Sequence, residues 1–152
     1  MLITAKLEIR RLQKIDIPKI IKIEEEAFSN PWSKEVFLKE LNNEKAYYIV
    51  GLYNNDVVAY LGTWLFYQQA HMTNLATAKD YRRQGFASQI LSYLYLQLRL
   101  NNIERISLEV RVSNKKAQQL YKREGFIKVG IKESYYSDNN EDAVLMWKRI
   151  YR

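Results

Sequence analysis

Tyr81-Arg82-Arg83-Gln84-Gly85-Phe86-Ala87 is a basic, glycine-containing turn that enters directly into an apolar-periodic segment running to about Leu100. That segment predicts a helix with Phe86, Ile90, Leu94 and Leu98 on one face, reinforced by Ala87 and Leu91 and ended by Asn101-Asn102. Such a junction is suited to hold phosphate. The N–H groups of a first helical turn lack partners within the helix, and the helix dipole places partial positive charge there. Gly85 and Ala87 keep the backbone uncluttered, while Arg82 and Arg83 add charge. Taken singly, the turn fits an ordinary strand-to-helix connection equally well.

Downstream, Arg105 to Val112 alternates, with Ile106, Leu108, Val110 and Val112 on one side and Ser107, Glu109 and Arg111 on the other. A strand therefore carries Glu109 on its polar face, either as a working carboxylate or in a salt bridge to Arg111 or Arg105. Asn114 is placed to cap a helix on which Ala117, Leu120, Tyr121 and Glu124 share a side before Gly125 ends it. Tyr121 is by default a core tyrosine whose hydroxyl finds some partner. Phe126 to Tyr136 and Asp142 to Ile150 read as closing strands.

Upstream, Leu7 to Leu12 reads as a strand, and Asp16 before Ile17-Pro18 starts a helix with Ile20, Ile23, Ala27 and Phe28 on one face. Pro31-Trp32-Ser33 opens a short second helix capped by Ser33. Tyr47 to Tyr53 and Val57 to Tyr67 flank the hairpin turn Asn54-Asn55-Asp56, and His71 to Ala78 continues as a third strand of this set. The predicted fold class is α/β: a mixed, mostly antiparallel sheet of about seven strands flanked by about four helices, in one domain over residues 1–152.

Composition narrows the chemistry. The 152 residues contain no cysteine, which removes disulfides, thiolate metal sites and a cysteine nucleophile. One histidine, His71, cannot alone build the usual zinc site, so no metal is expected; its own role is left open. The longest mostly apolar run, Val57 to Tyr67, is too short for a membrane helix, which needs about 20 residues. With no apolar signal core behind Met1, a cytoplasmic location without membrane contact is expected. The net charge of +7 favours anionic contacts such as a phosphorylated cofactor, RNA or a ribosomal surface, although a dispersed basic surface explains it as well. The acidic runs Glu24-Glu25-Glu26 and Glu141-Asp142 read as solvated faces, the first able to attract a basic substrate segment.

Asn74-Leu75-Ala76-Thr77 together with Tyr81 to Ala87 resembles the cofactor motif of the GNAT superfamily of acetyl-coenzyme A-dependent N-acetyltransferases, and the resemblance covers almost the entire chain. Within that superfamily, Leu108-Glu109-Val110-Arg111, Ser113-Asn114, Leu120-Tyr121, Gly125-Phe126, Tyr135-Tyr136, Glu141-Asp142-Ala143 with Met146, and Asn30-Pro31-Trp32-Ser33 resemble the ribosomal-protein-alanine N-acetyltransferase branch. The resemblance implies acetyl-CoA as co-substrate and the N-terminal alanine of a small-subunit ribosomal protein as acceptor. It implies a catalytic base at Glu109 and a general acid at Tyr121. Cofactor contacts fall at Leu75, Ala76, Thr77, Arg82, Arg83, Gln84, Gly85, Phe86, Ala87, Ser88 and Asn114. Trp32, Tyr135 and Tyr136 would line the peptide groove or else pack the rim of the core. The chain departs from the family pattern at Thr77, Lys79 and Ala87, where backbone groups do the work, and at Ala70-His71 on the substrate side.

Without cysteine, direct transfer from acetyl-CoA to the amine remains. Two alternatives stand beside this expectation. One is an acetyltransferase for other protein N-termini, lysines or small amines; the other is a non-catalytic RNA- or ribosome-binding module. Nucleic acid is not required by the leading expectation, and a monomer is the default while the oligomeric state stays open.

Overall fold

The computed structural model describes residues 5–150. It contains seven strands, β1 (Glu8–Arg11), β2 (Ala46–Tyr53), β3 (Asp56–Phe66), β4 (Gln69–Thr77), β5 (Arg105–Arg111), β6 (Ile127–Tyr136) and β7 (Glu141–Arg149). Four helices accompany them: α1 (Ile17–Ala27), α2 (Lys34–Leu41), α3 (Phe86–Leu100) and α4 (Lys115–Arg123). The strands form one sheet in the order β1-β2-β3-β4-β5-β7-β6. Every pairing is antiparallel except β4 with β5.

Helices cover both faces. On one, Ile90, Leu91, Leu94 and Leu98 of α3 and Tyr121 of α4 pack on Ile49, Leu61, Ile106 and Leu108. On the other, Ile17, Ile20 and Ile23 of α1 and Phe37 of α2 pack on Tyr48, Val50 and Tyr60. Strands β2 and β3 are thus buried on both sides, which is why they read as continuous apolar runs rather than alternating ones. Their hairpin turns on Asn54 (φ 51°) and Asn55 (φ 64°), left-handed residues that match the twist of the strands.

Local sequence terminates the helices that carry the site. Asn114 accepts from the Ala117 N–H at 3.1 Å and starts α4, and Gly125, at φ +95°, ends it. Ser33 caps α2 through the Val36 N–H at 3.4 Å. α1 starts directly after Asp16, as expected, with the Asp16 carboxylate buried and bonded elsewhere: it takes a two-pronged bond from Arg10 (2.8 and 2.9 Å) and one from the Gln13 N–H. One expectation for α1 changes. Ala27 and Phe28 are exposed, because the chain turns extended at Phe28 and leaves the buried stripe.

Candidate active site

Strands β4 and β5 are laddered only at Gln69–Arg105, Ala70–Ile106 and His71–Ser107. Beyond His71 they part. A bulge starts the divergence: Gly62 pairs Asn74 and Thr63 pairs Met72, so Thr73 is an extra residue that bends β4. Tyr48 braces the bulge, its hydroxyl 2.8 Å from Thr73 Oγ1 and donating to Asn74 Oδ1 at 3.2 Å. The ring lies across Gly62, where an added Cβ would come within 2.3 Å of it.

The opening is a cleft of about 370 Å³. Its walls include His71 to Leu75 of β4, Leu108 to Arg111 of β5, Asn114 at the start of α4, Ala117 and Tyr121 within α4, Trp32 before α2, and Tyr135 and Tyr136 of β6. Alternation on β5 places Glu109 on the α1/α2 face and its neighbours Leu108 and Val110 in the α3/α4 core, as the pattern predicts. The Glu109 side chain is 8% exposed. Its partners are neither Arg111 nor Arg105. His71 Nε2 lies 2.6 Å from Oε2, and Lys132 Nζ lies 2.6 Å from Oε1. Arg111 instead pairs with Asp138 and Glu141, and Arg105 stacks on Trp147 at 4.2 Å. Burial pushes the Glu109 carboxyl up, but the bonds from His71 and Lys132 outweigh it and hold the group below the usual carboxylate range.

Tyr121 is a core residue and a cleft residue at once. Its ring meets Phe126 edge-on at 5.5 Å, while among the described residues its hydroxyl has only Met72 Sδ, a weak acceptor 4.0 Å away. Burial, with a smaller effect of Tyr136, raises its pKa well above the ordinary phenol value, so it holds its proton. Tyr135 and Tyr136 stand edge-to-face 5.0 Å apart at the rim; Arg111 lies 4.0 Å over the Tyr136 ring, and burial pushes that phenol up to about 12. Trp32 packs on Phe37.

The turn lies past the end of β4. Arg83 (φ 63°) and Gly85 (φ 79°) are left-handed, and the exposed Gly85 starts α3 without any side-chain cap. A Cβ at Gly85 would meet nothing within 4 Å, so open space lies beside this helix start. Arg82 holds the loop in place, donating to the carbonyls of Thr77 (3.1 Å) and Glu26 (3.5 Å). Phe86 and Ala76 bury their side chains in the core, and Ser88 donates to Glu124 at 3.3 Å. Leu75, Asn114, Glu109, Tyr121, Trp32, Tyr135 and Tyr136 converge on the cleft itself.

Glu24 is not part of a solvated face. It is 2% exposed at the cleft wall, and its carboxylate accepts from the Trp32 N–H (2.8 Å), the Tyr60 hydroxyl and Asn74 Nδ2 (3.3 Å). Helical spacing carried the signal, since Glu24 shares a face with Ile17 and Ile20. Lys132 carried none, because it reaches β5 from β6 across the intervening β7.

This architecture has known counterparts. The profile of the Acetyltransferase (GNAT) family matches residues 17–126. A Bacillus subtilis (strain 168) protein provisionally named [ribosomal protein bS18]-alanine N-acetyltransferase is 37% identical over 146 residues, covering 95% of this chain and 97% of that protein. The [ribosomal protein bS18]-alanine N-acetyltransferase of Escherichia coli (strain K12) is 33% identical over 141 residues, 91% of this chain and 94% of that protein. The crystal structure of the Escherichia coli ribosomal-protein-S18-alanine N-acetyltransferase superposes with a TM-score of 0.88 at 31% identity, covering 96% of this chain and 95% of that one. With the profile spanning most of the chain and relatives this similar along its length, the chain is an N-acetyltransferase of the GNAT family.

Proposed function

We propose that this enzyme transfers acetyl from acetyl-CoA to the N-terminal α-amine of a ribosomal protein, alanine-initiated as in the names of its relatives. The observation that carries the proposal is the joint placement of Glu109 and Tyr121 in the opening between β4 and β5. The turn fits the pyrophosphate: an uncapped helix start, a left-handed Gly85 and open space beside it. Asn114 lines the cleft and would meet the cofactor there.

An α-ammonium has a pKa of about 8, so a modest base suffices to expose its lone pair. Glu109 takes that proton, directly or through a water. The amine nitrogen then bonds to the thioester carbonyl carbon. Charge developing on the carbonyl oxygen is met by backbone N–H groups near Leu75 to Thr77, on the strand edge that β5 no longer covers. As the carbon–sulfur bond breaks, the Tyr121 phenol gives its proton to sulfur, its high pKa ensures that the proton is there to give, and the second proton lost by the nitrogen as the amide forms restores the phenol. No cysteine exists to carry an acetyl intermediate, so transfer is direct.

Purified enzyme, acetyl-CoA and a panel of peptides, with mass analysis of each N-terminus, tests the proposal. Acetylation of an alanine-initiated ribosomal N-terminus in preference to lysine side chains and polyamines is expected. Transfer to a polyamine and to no peptide terminus would sink it.

A further inference from the structure

Two nitrogen donors hold the Glu109 carboxylate, and they are held very differently. His71 is built in. It is the ladder partner of Ser107, and its Nδ1 sits 2.8 Å from the Ser107 hydroxyl while Nε2 serves Glu109 Oε2. Lys132 has no such anchorage: its ammonium ends a flexible four-carbon stem, its side chain is 46% exposed, and its neighbour is the half-exposed Tyr135 ring at 5.4 Å. It arrives from β6, where Lys132 pairs Ala143, and crosses β7 to reach the opposite side of Leu145, the residue paired with Glu109. An N-terminal α-ammonium and a lysine ammonium are the same functional group. An acceptor that must give its proton to Glu109 needs one of the two oxygens, and Oε1 is the one whose partner can swing away.

We propose that Lys132 is a positioning residue that pairs with Glu109 Oε1 until an incoming α-ammonium takes that oxygen, so that the acceptor enters by exchange of one cation for another. The proposal rests on Glu109 being the base. Exchange leaves the covered carboxylate paired at every stage, which avoids the penalty of a buried, unpaired charge. The cost is affinity, because each acceptor competes with a cation tethered beside the site.

Steady-state kinetics of Lys132→Gln and Lys132→Arg with an alanine-initiated peptide provide the test. Lys132→Gln is expected to lower KM about two- to fivefold, the range of a half-exposed ion pair. Lys132→Arg, which keeps the charge, is expected to hold KM at or above the wild-type value. The groups facing Glu109 are His71 from β4 and Lys132, Tyr135 and Tyr136 from β6. Of these, only Lys132 changes in the variant, and losing a cation beside a carboxylate raises its pKa. The acid limb of kcat/KM should therefore move to higher pH in Lys132→Gln and stay in place in Lys132→Arg. A KM that is unchanged or raised in Lys132→Gln overturns the proposal, as does identical behaviour of the two variants.

Carboxyl-carbon NMR of Glu109 in the full chain separates this from the functional proposal. The free-amine peptide should shift the Glu109 signal in the wild type, whereas its N-acetylated form should not. If no peptide is turned over, the functional proposal fails, and the exchange stands or falls on that shift alone.

Discussion

His71 is the last residue of β4 that ladders with β5, and from that rung its Nε2 reaches 2.6 Å to Glu109 Oε2. The side chain therefore sits at the fork where the two strands separate, and it orients the carboxylate that the proposed mechanism uses. His71→Ala deletes one of the two donors that hold Glu109 below its ordinary range, so the carboxyl pKa must rise. The acid limb of the kcat/KM profile is expected to move to higher pH, which a pH–rate series will read. An unmoved limb would show that the contact does not tune the base. Glu109→Gln should lower kcat about 10²- to 10⁴-fold, the usual contribution of a general base.

Tyr121→Phe separates the two roles of that side chain. The ring keeps its place against Phe126, and among the described residues the lost hydroxyl had only a weak sulfur partner at 4.0 Å. Stability by urea titration should change by less than about 1 kcal/mol, since no strong hydrogen bond is broken. Turnover should fall by about tenfold or more if the phenol supplies the leaving proton. A large stability loss with intact turnover would identify a structural tyrosine instead.

Glu24→Ala leaves the Tyr60 hydroxyl, the Asn74 amide and the Trp32 N–H without their common acceptor at a site that is 2% exposed. The expected loss is about 3 kcal/mol, because buried donors left unmatched each carry a desolvation penalty. Denaturant unfolding measures it, and a change below about 0.5 kcal/mol would mean that water replaces the carboxylate fully.

Asp16 predicts a pH dependence of stability. Burial raises its carboxyl pKa, but bonds from Arg10 and the Gln13 N–H outweigh that and leave it lower than the ordinary 3.8. A depressed carboxylate stabilises the fold above its unfolded pKa, and that contribution disappears as pH falls through the folded value. Asp16→Asn resembles the protonated acid, so it should cost about 2 kcal/mol at neutral pH, typical of a charged hydrogen-bonded pair. The difference from wild type should shrink below pH 3.8 in parallel unfolding curves.

Gly62→Ala would drive a methyl to within 2.3 Å of the Tyr48 ring, which is almost fully buried and supports the Thr73 bulge. Overpacking of this kind costs about 1–3 kcal/mol. Thermal unfolding should register it, and activity should drop as well because the bulge shapes the cleft.

Where periodicity or turn chemistry acts within one element, the sequence was legible. Alternation along Arg105 to Arg111 placed Glu109 on the correct face, Asn114 and Gly125 bounded α4, and the Asn54-Asn55 turn carried its own left-handed preference. Charge partners were not legible, because they depend on strand order. Arg111 is two residues from Glu109 and shares its face, but it turns to Asp138 and Glu141, while a lysine two strands away takes its place. Glu24 was hidden by its neighbours: three consecutive glutamates suggest solvent, and only the helical position of the first one shows that it turns inward.

The three-rung ladder between β4 and β5 also has a mechanical meaning. It is the seam between a four-stranded plate, β1 to β4, and a three-stranded plate, β5, β7 and β6. So short a seam leaves the far ends of β4 and β5 without ladder bonds to each other, and the plates are joined there by the shared core under α3 and α4. A molecule that spans the gap and bonds to both plates would act as a splint and lend the sheet the cross-strand bonds it otherwise lacks there. Amide exchange in β4 and β5 beyond His71 should then slow when such a molecule binds, while exchange in the β2–β3 hairpin should hardly change.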